Sequence, residues 1–329
     1  MATRAAPRTA RPRATPRRPL LPQIWAARWY YLFMAPALVL AVLFTLYPIV
    51  ASWYYSFLDW SGFTSQQTWI GLANYRETLH DTYFWGAFKR SFLFMFASVP
   101  PRLILALLVA LLLNDRALKL APIFRTFFFI PVVTTAAIVG VVMTFLFSPY
   151  NGPIDKALLA LHLIDRPIDF LGNPDTALWT VVVVFIWKNF GITMIYWLAA
   201  LQTIPAELYE AATVDGAGRL AIFRRITLPL LTPFTVIIAL ITVVQTLRVF
   251  PIVQTMTGGG PFFASEVMEV YIYRTAFGTG GIPRLGYASA VAVVFGLTTM
   301  VIAIGQGWAL QRARAATRAI EAAGGEVQS

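Results

Sequence analysis

The chain has 329 residues, of which 58% are hydrophobic and only 12% charged. A soluble domain carries about 25% charged residues, so this composition excludes a water-soluble globule and implies a bilayer, where each spanning helix needs about 20 mostly apolar residues. The net charge of +11 implies no nucleic-acid partner, because the basic residues sit in the N-terminal tail and in short segments between apolar runs, where they orient a membrane protein. The absence of cysteine excludes disulfides, thiol catalysis and Cys-based metal sites.

In chain order, residues 1–29 are rich in Arg, Ala and Pro, a composition that predicts a disordered basic tail. Residues 30–310 then hold six apolar segments, at about 30–53, 91–113, 123–147, 178–201, 230–253 and 286–310. The expected fold is all-α and polytopic, with six transmembrane helices and a C-terminal tail over 311–329. The first run is too long for a signal-peptide core and no small-residue cleavage site follows it. Prolines fall in or beside several spans, where neighbouring helices can satisfy the freed carbonyls, and Pro100-Pro101 is expected to kink the second span. His80 and His162 lie far apart in predicted loops, and no metal site is expected.

An even number of spans places both termini on one side. With that side cytoplasmic, sixteen Lys and Arg lie inside, including Arg116, Lys119, Arg125, Arg312, Arg314 and Arg318, and seven lie outside. This bias predicts a multi-pass plasma-membrane protein with both termini cytoplasmic. The outer loops, rich in Gly, Pro, Asn and aromatics, read as compact surface loops with short helices.

One predicted inner segment, 204–229, has a different character. Pro205 suits a helix start, and Glu207 and Glu210 suit its positive end. Asp215-Gly216 is a stop signal. A second short helix is predicted at about 218–226, and Leu228-Pro229 leads into the fifth span. The pair is read as a helix–turn–helix at the membrane surface, able to receive another protein or to rest on lipid headgroups. Its pattern is Glu210-Ala211-Ala212, then Asp215-Gly216-Ala217, then Ile226, Leu228 and Pro229. This resembles the EAA loop of permease subunits in bacterial ATP-binding-cassette (ABC) importers.

The resemblance extends over nearly all of residues 30–310, through the LAPIFRTFFFIPVV stretch and Gly258-Gly259-Gly260-Pro261. It is strongest to the maltose-permease-like carbohydrate branch, and within it to the trehalose-importer permeases of mycobacteria. It implies a type I importer permease fold that binds no cofactor itself, with ATP and Mg used by a partner ATPase. It further implies a second homologous permease, a dimer of ATPase subunits, an extracytoplasmic sugar-binding lipoprotein and membrane lipid as partners. The implied solute is a sugar, trehalose, the alternatives being maltose-type oligosaccharides or glycerol-phosphate. Glu210 is implied as the residue meeting the ATPase.

Polar groups inside spans are costly and therefore informative. Arg102, Lys188 and Arg248 are expected to face the bundle interior or to snorkel. Asn189, Thr193 and Tyr196 fall on one face of the fourth span, and Thr242, Gln245 and Thr246 with Arg248 form a similar stripe in the fifth. Such groups suit sugar hydroxyls and equally suit hydrogen bonding between helices. No carboxylate lies in mid-span, no catalytic set is evident, and there is no Gly-x-x-x-x-Gly-Lys-Ser/Thr loop. The chain is expected not to be an enzyme by itself.

Overall fold

The computed structural model describes residues 28–115, 118–278 and 281–325, without the side chains of 309, 310 and 312–325. The basic tail, Arg116 and the side chains of Arg312, Arg314 and Arg318 lie outside the described residues. The chain divides into two units, one ending at Ala51 and one beginning at Ser52. The first carries α1 (Arg28–Ala41), a π-helical turn at Val42–Leu46 and the start of α2 (Tyr47–Tyr55). Leu, Phe, Tyr and Val side chains point outward along its length, the surface expected of a helix dissolved in hydrocarbon.

The second unit holds the other elements. A two-residue antiparallel pair, β1 (Leu58–Asp59) with β2 (Thr68–Trp69), precedes α3 (Ala73–His80) and the long α4 (Thr82–Leu113). Next come α5 (Ala121–Val133), α6 (Ala136–Leu146), α7 (Pro153–Ala160) and α8 (Pro174–Leu201). After these come α9 (Ala206–Val214), α10 (Arg219–Ile222), α11 (Leu228–Thr246), α12 (Phe250–Met256), α13 (Met268–Phe277) and α14 (Leu285–Gly325). The architecture is all-α and polytopic. Among the described residues, five helical stretches are long and apolar enough to cross a membrane, and α5 with α6 form a bent pair that would make a sixth.

Several boundaries differ from expectation. The third span is broken rather than straight: α5 and α6 meet at 98°. Thr134 and Thr135 both have extended ψ, near 140°, and the Thr135 hydroxyl accepts the Ile138 amide as a fresh N-cap. Two β-branched residues three and four places after Pro131 thus end one helix and start another. The second span begins at Thr82, so Lys89 and Arg90, expected in a loop, lie within α4. Pro100-Pro101 does not interrupt that helix. The fifth span stops at Thr246, which leaves Arg248 outside it. Pro251 starts the separate α12, and the Glu269 carboxylate accepts the Phe250 amide at 2.6 Å. The C-terminal segment continues as helix to Gly325.

Helix α8 is the centre of the bundle, more than half buried along its most apolar stretch, and it packs on α4, α5 and α11. Small residues permit the approach: Ala106 and Ala110 of α4 and Ala200 of α8 are fully or almost fully buried. At Gly191 a Cβ would fall 2.1 Å from the Phe128 carbonyl oxygen, so α5 and α8 touch backbone to backbone. One apolar cluster joins α4, α6, α8 and α12 around Phe94, Phe185 and Ile252. Another joins α4, α8 and α11 around Met194, Trp197 and Leu231. A third, around Phe84, Tyr271 and Phe295, packs α13 and α14 on the first turns of α4.

Candidate functional site

Three polar features stand out from this apolar frame. The first is the hairpin of α9 and α10. Helix α9 ends as its composition predicts: Gly216 takes φ +75°, the Gly216 amide donates to the Thr213 carbonyl and the Ala217 amide to the Ala212 carbonyl. These are the paired bonds of a Schellman C-cap. A Cβ on Gly216 would meet nothing within 4 Å, so glycine is required there for its backbone conformation and not for space. Glu210, Ala211, Asp215 and Gly216 are exposed, while Ala212 and Ala217 are half-buried. Tyr209 turns inward, its hydroxyl 3.2 Å from that of Thr227. Leu208 and Val214 are exposed, Val214 at 87%.

The second predicted short helix is not separate. Helix α10 runs through a π-helical stretch, Phe223–Thr227, directly into α11, so one helix extends from Arg219 to Thr246. Ile226 lies half-buried in that stretch, and Leu228 and Pro229 open α11 on its exposed side. Beside the hairpin is a groove of about 870 Å³ between the 114–125 segment and 201–210, with Glu207 and Glu210 among its lining residues.

The second feature is a polar cluster inside the bundle. Arg102 of α4 is 0% exposed. Its Nε donates to Thr193 Oγ1 of α8 at 2.7 Å, and its Nη2 donates to Gln245 Oε1 of α11 at 2.8 Å. Its Nη1 is buried with no hydrogen-bond partner. Lys188 of α8 is 7% exposed and near enough to Arg102 for the charges to repel. Of the predicted stripes, Thr193 and Gln245 meet here. The Asn189 amide donates to its own helix at Phe185 O, and Thr242 and Thr246 donate to Ile238 O and Thr242 O. Tyr196 is half-buried beside the α4–α8–α11 cluster. Arg248, beyond the helix end, is exposed and away from this group.

The third feature lies at the first turn of α4 and was not foreseen from the sequence. Asp81, the N-cap of α4, accepts the Tyr83 amide at 2.7 Å and hydroxyl bonds from Tyr271 and Tyr287, the latter at 2.7 Å. Burial alone would raise the Asp81 carboxyl, but these three donors outweigh it and hold the group below the ordinary aspartate range. Burial, then the bond to Asp81, push the Tyr271 phenol well above its usual value. Nearby, Glu266 is fully buried and pairs with Arg274 at 2.6 Å, and Arg90 Nε donates to the Glu266 carbonyl at 2.9 Å. Burial would lower the Arg274 guanidinium, but the Glu266 pair outweighs it. Arg284 meets Glu77 in an exposed bidentate pair. An Asp just before a long apolar stretch is an N-cap signal, and it could have pointed to Asp81.

Residues 84–315 match the family model described as binding-protein-dependent transport system inner membrane component. The chain is 35% identical over 277 residues to a probable ABC transporter permease protein, YurN, of Bacillus subtilis, covering 84% of this chain and 94% of that one. It is 32% identical to the lactose transport system permease protein LacF of Rhizobium radiobacter, covering 85% and 93%. It is 31% identical to the trehalose/maltose transport system permease protein MalF of Thermococcus litoralis, covering 82% and 88%. A bacterial ABC transporter involved in import of the acidic polysaccharide alginate shares the fold, with a TM-score of 0.77 at 24% identity over 89% of this chain and 98% of that one. The chain therefore belongs to the inner membrane components of binding-protein-dependent transport systems, the non-catalytic permease subunits of ABC transporters.

Proposed function

We propose that this permease imports a sugar, with the disaccharide trehalose as its solute, and that the α9–α10 hairpin couples it to a cytoplasmic ATPase. The observation that carries the reading is the hairpin itself. It holds Glu210, Ala211 and Asp215 in the open, braced from behind by Tyr209 and Thr227, and is continuous with a spanning helix. In this reading the hairpin and both termini face the cytoplasm, in line with the excess of Lys and Arg on that side. ATP and Mg are used by a dimer of ATPase subunits docked at Glu210 and its neighbours. A second homologous permease completes the path, and an extracytoplasmic binding protein delivers the sugar to the opposite face. Support for a saccharide comes from the names of the relatives above. Those names differ in the sugar, and lactose is therefore the second reading.

The test is ATP-dependent uptake of radiolabelled trehalose, lactose and maltose into proteoliposomes holding the full assembly, with Glu210→Arg as the variant. Uptake of trehalose in preference to the others, abolished by Glu210→Arg with sugar binding intact, supports both parts. Preference for another sugar overturns trehalose, and normal transport by Glu210→Arg overturns the coupling contact.

A further inference from the structure

The guanidinium of Arg102 is an expensive group to keep where it is. A charge in the middle of a span costs about 2.5–3.5 kcal/mol on insertion scales, and buried charges are ordinarily paired with an opposite charge. Here neither Arg102 nor Lys188 is within ion-pair distance of a carboxylate among the described residues. The only acid in α4, α5, α6, α8, α10 or α11 is Asp175, in the first turn of α8. Helix adhesion does not explain the choice: an apolar side chain of similar volume serves a buried contact as well or better, and a carboxylate at 193 or 245 would have neutralised the charge.

The arrangement holds the guanidinium in one orientation and leaves one corner free. Thr193 and Gln245 fix Nε and Nη2 from two other spans, and Nη1 remains a buried donor without an acceptor. Orphaned buried donors are rare and call for an explanation. A guanidinium is a planar fork suited to two adjacent oxygens, and the ring of Phe185 lies 5.9 Å from Arg102 Cζ, an aromatic surface of the kind that covers a sugar face.

We propose that Arg102 is a solute-binding residue of the translocation path, positioned by Thr193 and Gln245, and that its Nη1 donates to a hydroxyl of the passing saccharide. This rests on the sugar-importer reading above. In the present arrangement the path is shut at this level, because Arg102 is wholly buried where α4, α8 and α11 meet. Separating α11 from α4 frees Nη2 as well, and the fork then faces a pair of neighbouring hydroxyls. Lys188, buried in α8 and near enough to Arg102 for the charges to repel, adds donors to the same passage.

The full assembly in proteoliposomes tests this with two variants and radiolabelled trehalose, lactose and maltose. Sugar retained by the vanadate-trapped assembly is measured beside its melting temperature. Arg102→Gln is expected to retain at least tenfold less of the transported sugar while melting close to wild type. Gln245→Glu gives Arg102 a carboxylate to hold. It is expected to raise the melting temperature and to lower sugar retention at least tenfold, a combination that a purely structural Arg102 would not produce. Wild-type retention in either folded variant overturns the role of Arg102 and leaves the importer reading standing. If the wild-type assembly retains none of the three sugars and transports none, the saccharide reading falls and the role of Arg102 falls with it.

Discussion

Two groups of charged side chains sit in the same helical bundle under opposite rules. At the first turn of α4, each buried charge has what it needs: Glu266 has Arg274, and Asp81 has two phenols and an amide. In mid-bundle, Arg102 and Lys188 repel one another and Arg102 keeps a donor with nothing to accept it. Both groups are enclosed, so burial alone does not distinguish them. The difference is completeness: a satisfied network fixes a structure, whereas an unsatisfied one stores the capacity to bind something else.

That contrast can be broken by substitution, measured as chemical or thermal unfolding of the detergent-solubilised protein. The largest effect is expected from Glu266→Ala, which strands Arg274 and removes the carboxylate it pairs with. Breaking a buried pair in this way costs about 3–5 kcal/mol, and a loss under about 1 kcal/mol would show the network to be ornamental. Asp81→Asn should cost less, about 1–3 kcal/mol, as the price of weakening hydrogen bonds to a charged acceptor.

The Asp81 case also carries a pH signature. Its folded value lies below the unfolded one, near 3.8, so the stability it adds is complete above that value and is lost as pH falls through the lower, folded one. Asp81→Asn should flatten that acid limb. The smallest change is expected from Arg102→Met, within about 1 kcal/mol of wild type in stability. A loss as large as that of Glu266→Ala would mean that Arg102 holds the fold and would erase the contrast.

Much of this frame was legible in the sequence, because hydrocarbon imposes a simple rule on length and polarity. The spans, the short helices between them, and the Asp215-Gly216 stop of α9 follow from apolar run length and turn chemistry. What escaped was set by single residues acting across the bundle or at helix joints. Thr134-Thr135 breaks a run that is apolar on both sides, and Pro251 starts a helix inside what reads as the end of a span. The fusion of α10 to α11 depends on five π-helical residues that no periodicity announces. Among the candidate solute contacts, Thr193 and Gln245 come together at one guanidinium. Only the tertiary structure brings Arg102, 91 positions before Thr193, between them. Arg248 looked equivalent to Arg102 in sequence, yet the stop of α11 at Thr246 puts it outside the bundle's interior.

The unbroken helix from Arg219 to Thr246 has a mechanical meaning. Its 28 residues make a rod of about 40 Å at about 1.5 Å per residue. A tilt of about one degree at the hairpin end moves the far end by about 0.7 Å over that length. Gln245 is at that far end, 2.8 Å from Arg102, and an N–H···O bond fades beyond about 3.2 Å. A tilt of one or two degrees, too small to see as a change of fold, is therefore enough leverage to let go of the guanidinium buried inside the bundle.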